Sequence, residues 1–181
     1  MTPRKTVSKK AKAKTAKRAT TKRAQSDLPV LYGVRLAHPL ADLAGISLSR
    51  GSHTSASKGM CVNEAVAWLA GEKHSDRPGC MCPVIASGTL RFNDNLPSNA
   101  ERDRYLKDLI PTLIGTRTTA ADETTRSYMA ADWLIRQRTP AFLRLAGMTA
   151  EAETLEGLAR IVDAETAKAA RAKAAPIRDA A

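Results

Sequence analysis

From Met60 onward, apolar residues recur three or four positions apart, the spacing that lines them up on one face of an α-helix. Met60, Ala65, Val66 and Leu69 form the first stripe, and Gly71 stands where a C-terminal cap belongs. A polar connection follows over 72–78. Pro83 then suits the first turn of a helix that carries Val84, Ile85, Leu90 and Phe92 and closes near Asn93. Ser98 with Glu101 has the form of a capping box, ahead of a stripe made by Tyr105, Leu106, Leu109 and Ile110. Pro111 interrupts or kinks that helix, and Gly115 ends it. Thr119 and Asp122 predict another helix start, with Tyr128, Met129, Trp133, Leu134 and Ile135 as its apolar face. Thr139-Pro140 opens a short helical turn that stops at Gly147. Thr149 begins a last helix with Leu155, Leu158 and Val162 on one side.

The flanks read differently. Residues 28–58 mix aliphatics with Pro29, Gly33, Pro39 and Gly45, which predicts irregular or extended pieces with room for a small hairpin; Gly51 to Gly59 is a polar loop. Past Asp163 the chain is alanine and charge, and 166–181 is predicted to fray. The pattern therefore predicts a mainly α fold: a compact bundle of five or six short helices over 59–165, after an irregular lead-in. No apolar run approaches the roughly 18 residues that span a bilayer.

Charge divides the chain more sharply than hydropathy does. The formal net charge is +11, yet of 29 basic residues ten lie within the first 26 positions, where there is no acid, leaving 19 against 18 acids elsewhere. Those ten are Arg4, Lys5, Lys9, Lys10, Lys12, Lys14, Lys17, Arg18, Lys22 and Arg23. Residues 1–27 hold too little apolar surface to offset the entropy of ordering and are predicted to be disordered. Lysines interleaved with alanine can settle on many phosphate geometries through counterion release, which gives affinity for nucleic acid without base specificity. An acidic protein, an anionic membrane surface or plain solubility are the other uses of such a stretch. Organelle targeting fits poorly, because Val7 is the one large aliphatic residue between Met1 and Leu28. A reducing, cytoplasmic setting is the default for three unevenly spaced cysteines.

Candidate chemistry is concentrated between Gly59 and Ile85, which hold Cys61, Glu64, His74, Cys80 and Cys82. Thiolates with an imidazole can make a tetrahedral zinc site, and Cys61, His74, Cys80 and Cys82 are the candidate ligands. The plainer reading makes the cysteines small buried residues at helix starts. Cys61 in a first helical turn could also be a nucleophile of lowered pKa, with His74 or His53 as base. Glu64 could pair with His74 or Arg77, or be a solvated helix residue. Asn93, Asp94 and Arg117 could converge on a ligand or serve as caps and a surface cation. There is no phosphate-binding glycine loop, zinc-protease motif or serine nucleophile elbow.

Two resemblances add to this. The tail resembles the Lys/Ala-rich tails of bacterial histone-like proteins and linker histones. The pieces GMCVNEAVAWLAGE, SDRPGCMCPVI, FND, LIGTR and ADWLIRQRTPAFLRLAG resemble a family of small helical proteins from actinobacteria and their phages, over about half the chain. That resemblance implies one folded helical block with residues 1–27 as an added extension, and assigns no catalytic residue. The function expected is a nucleic-acid-associated accessory protein whose helical domain contacts a partner. A protein-interaction module, such as a phage-encoded modulator of a host protein, and a zinc- or thiol-dependent enzyme are the alternatives.

Overall fold

The computed structural model describes residues 28–180, and they are mainly helical. The nine tail residues expected to meet phosphate (Lys5, Lys9, Lys10, Lys12, Lys14, Lys17, Arg18, Lys22 and Arg23), with Arg4, lie outside the described residues. Two compact units are formed, one by 28–82 with 86–117 and the other by 83–85 with 118–180.

In the first unit, strands β1 (Val30–Leu31) and β2 (Val34–Arg35) pair antiparallel. Tyr32 and Gly33 turn the chain between them with φ of 49° and 83°, the double positive φ of the tight hairpin turn. This is the small hairpin that the Pro/Gly punctuation allowed. A 3-10 turn, Leu40–Gly45, buries Leu43, and Leu48 bridges to Met60 in parallel. Residues 49–59 thus form a loop with both ends fastened.

Helix α1 (Val62–Ala70) follows, then α2 (Pro83–Asn95), α3 (Asn99–Leu106), a 3-10 turn (Lys107–Leu109) and α4 (Ile110–Leu113). Pro111 falls in the first turn of α4, where its missing N–H costs nothing. Helix α1 is the centre of this unit. Val62, Ala65, Val66 and Leu69 are inaccessible, and so are the polar residues Asn63 and Glu64 on its other faces. A helix buried on nearly all sides must find partners for every polar group it carries. Leu48, Leu106 and Ile110 of the same unit are wholly buried as well.

The second unit contains α5 (Ala120–Trp133), a π-helical turn (Leu134–Arg138), α6 (Thr139–Leu145), α7 (Thr149–Glu156) and α8 (Ala164–Ala180). Thr119 caps α5 reciprocally with Asp122, as its sequence spacing predicts. Pro140 explains the π turn: it has no N–H to donate and its ring crowds the carbonyl four residues back, so the helix widens ahead of it. The core is Leu143, Ala152 and Leu155, with Ile135, Met148, Ala174 and Ile177 packed against it.

Three expectations are corrected. The last stripe does not run from Leu155 to Val162 in one helix, because α7 stops at Glu156 and Val162 is exposed. Asp132 decides this by accepting the Ile161 N–H at 2.8 Å and holding 157–163 as a loop. The C-terminal residues form a 17-residue helix instead of fraying. Asp163 caps that helix through the Thr166 N–H at 2.8 Å, and Ala170 is buried. The apolar face expected on α5 is largely outward, since Met129, Trp133 and Leu134 are each more than half exposed. Among the described residues no helix is long and apolar enough to cross a membrane.

Candidate functional site

Glu64 is a buried carboxylate at the start of the first unit's central helix, and its surroundings follow from its place in α1. It sits at the third helical position behind Cys61, so its carboxylate can turn back to the free N–H groups at the helix start. Oε2 accepts the Cys61 N–H at 2.8 Å. The same carboxylate reaches the 49–59 loop: Oε1 accepts the His53 N–H at 2.6 Å, and His53 Nδ1 lies 2.8 Å from Oε2. His74 approaches from the connection after α1, its Nε2 3.4 Å from Oε1. Burial pushes the Glu64 carboxyl upward, but the hydrogen bonds from the His53 and Cys61 backbones and the His53 ring outweigh it. The carboxyl is held below its ordinary range. Glu64 is therefore an anion at neutral pH with only 1% of its side chain exposed.

An anion at Oε2 fixes the imidazole. A carboxylate only accepts, so the His53 contact to it is made by an Nδ1–H donor, and in the tautomer that carries its proton there Nε2 is an acceptor. Ser49 Oγ lies 3.0 Å from that Nε2. Ser49, His53 and Glu64 thus form a continuous hydroxyl–imidazole–carboxylate line, two members on the 49–59 loop and the third on α1.

The neighbouring polar residues hold the backbone that carries this line. Asn93 accepts the Val62 N–H at 3.2 Å and donates to Ser49 O at 3.0 Å. Asp94 accepts the Gly51 N–H at 2.9 Å. Arg102, buried, donates to Asn93 O at 2.8 Å and to Leu96 O, so its charge faces the carbonyl end of α2. Asn63 is satisfied on both atoms by Asp76 O, Ala86 O and the Thr89 hydroxyl. Asn93 and Asp94 are therefore loop anchors, and the Arg117 main chain likewise donates to Cys80 O at 3.1 Å.

The cysteines take other roles. Cys61 caps α1 and is wholly buried. Desolvation, with the Glu64 carboxylate adding to it, pushes its thiol up to about 12. The helix start predicts a lowered value; burial beside an anion overrides the dipole and favours the thiol form of Cys61. Cys80 is pushed up to about 11 by burial and by Glu72, whose Oε1 accepts the Cys80 N–H at 2.8 Å. Cys82 is buried at the start of α2, its N–H donating to the Thr116 hydroxyl at 3.0 Å. Among the described residues no three of His, Cys, Asp and Glu are grouped to hold a metal ion, so Cys61, His74, Cys80 and Cys82 do not come together as a ligand set. Their nearness in sequence is spent on two helix starts and a loop anchor.

Sequence reasoning makes Glu64 a solvated helix residue or a partner of His74 or Arg77; the structure buries it instead, with His74 Nε2 3.4 Å away, and pairs it with His53, which the sequence suggested for Cys61. Ser49 it missed. The pattern Ser49-x-x-x-His53 carries no signal until both ends of the loop are fastened at Leu48 and Met60. Comparison with protein-family models, curated proteins and solved structures finds no match to this chain.

The second unit carries one surface feature of a different kind. The Arg138 guanidinium stands 5.4 Å from the ring centres of both Trp133 and Phe142. Both rings are more than half exposed, and Leu145 beside them is 84% exposed. The π turn creates this arrangement by carrying Arg138 round toward the two aromatics.

Proposed function

We propose that this protein is a nucleic-acid-associated accessory protein that grips phosphate without base specificity through its lysine-rich start, while its helical body engages a protein partner. The carrying observation is the separation of charge: ten cations and no acid in the first 26 positions, against 19 cations and 18 acids in the rest. Free lysines on phosphate release counterions, and that gain depends on the cations not already being paired with carboxylates of the same segment. For the partner contact, the support is the Trp133–Arg138–Phe142 cluster. Tryptophan and arginine held together at an exposed site are the residue types that dominate protein-binding hot spots.

Duplex binding by the full chain, followed by fluorescence anisotropy at two salt concentrations, tests the first half. Affinity should fall with a log–log salt slope of about −7 to −9 if most of the ten cations meet phosphate. A full chain with those ten residues changed to glutamine should lose binding. Undiminished affinity in that variant would move the phosphate site into the body and sink this reading.

A further inference from the structure

We propose that Ser49 is an activated nucleophile, with His53 as its general base and Glu64 as the positioning residue, and that the site attacks small carboxylic esters. The argument starts from what holds the loop. The Ser49 main chain is already fixed on both sides, its N–H donating to Met60 O at 2.9 Å and its C=O accepting from Asn93. The His53 main chain is fixed by Glu64. Loop geometry is therefore secured by backbone bonds; the Ser49 hydroxyl has two acceptors in reach, His53 Nε2 at 3.0 Å and Met60 O at 3.4 Å, and the shorter contact is the one to the imidazole. With Nδ1–H committed to a buried carboxylate, Nε2 is the atom able to take the hydroxyl proton, the division of roles found in serine hydrolases.

Gly59 supplies the second observation. A Cβ there would stand 2.7 Å from His53 Cδ2, 2.8 Å from Nε2 and 2.9 Å from Ser49 Oγ. The residue adopts φ of 134°, and its lack of a side chain leaves space at the two atoms between which the proton would move. Ser49 is partly exposed and the His53 side chain is 15% exposed, so the pair is sheltered but reachable.

The chemistry balances without any further co-reactant than water. Ser49 Oγ bonds to the ester carbonyl carbon while its proton passes to His53 Nε2. The bond to the leaving alcohol breaks, and the alcohol takes that proton. Water then gives a proton to His53 and attacks the acyl–Ser49 ester. The carboxylic acid leaves, and the proton returns to Ser49 Oγ.

The test uses the full chain and a fluorophosphonate probe, which bonds to an activated serine with loss of fluoride. One adduct, mapped by mass spectrometry to Ser49, is expected, with none in Ser49→Ala. His53→Gln should slow labelling by about 10²- to 10⁴-fold, the range for losing a general base. Thermal unfolding of each variant checks that it is folded. A nitrogen-15 spectrum of the wild-type ring should show His53 Nδ1 protonated and Nε2 bare, and Glu64→Gln should slow labelling while the adduct still maps to Ser49. Absence of a wild-type adduct, equal labelling of Ser52, Ser55 and Ser57, or an unchanged rate in His53→Gln would each overturn the assignment. So would the opposite tautomer of His53.

Discussion

The two units solve the problem of holding irregular backbone in opposite ways. The first buries polar side chains at its centre: Glu64, Asn63, Asn93 and Arg102 sit in or against the core, and each is bonded to main-chain groups of loops or helix ends. The second buries a three-residue aliphatic core and uses one carboxylate, Asp132, to pin a single loop. Buried polar networks specify geometry closely, because every unmet hydrogen bond inside a protein is costly. Aliphatic packing stabilises without fixing orientation so tightly. The unit that carries the Ser49–His53–Glu64 line is the one built on the polar network. The unit that displays aromatics outward is the one built on aliphatic contact.

Breaking each device separates them. Glu64→Ala should have the largest effect, since it strands two buried N–H groups and the His53 ring; a loss of about 3–5 kcal/mol in urea unfolding is expected. Leu155→Ala, which opens a cavity in the second unit, should cost about 2–4 kcal/mol. Its effect should leave the His53 ring signals unchanged, because the hydrogen bonds described for Glu64 all join residues of the first unit.

Acid sharpens the contrast next. The Glu64 carboxyl lies below its ordinary range when folded, so its contribution is complete above the unfolded value of about 4.3 and fades as pH falls through the folded one. Urea midpoints of wild type and Glu64→Gln should therefore differ most at neutral pH and converge in acid below about pH 4. The smallest effect belongs to Thr119→Ala at the start of α5, which removes an exposed cap and should cost about 1 kcal/mol by thermal unfolding.

Much of this fold could be read from local chemistry. Thr119 with Asp122, Ser98 ahead of Glu101 and Gly71 after α1 mark helix ends where the structure has them. Each is a bond between groups within three or four residues, so spacing alone reveals it. The outward face of α5 was not legible, because an apolar stripe says that a helix has a preferred side and not that a neighbour covers it. The C-terminal helix was misread for the converse reason: alanines at Ala170 and Ala174 look featureless until a core is present to receive them.

The candidate site divides along the same line. The sequence by itself determined the segregation of charge, the helical class and the closeness of Glu64 to the start of α1, all of which depend on composition or short spacing. Only the tertiary structure decided that Cys61 is wholly buried and that Ser49, His53 and Glu64 fall on one line. The reason is distance along the chain: Ser49 and Glu64 are 15 positions apart, joined by a loop whose path is fixed by Asn93 and Asp94, some 30 residues further on. No local rule links those segments; the folded arrangement of the first unit does.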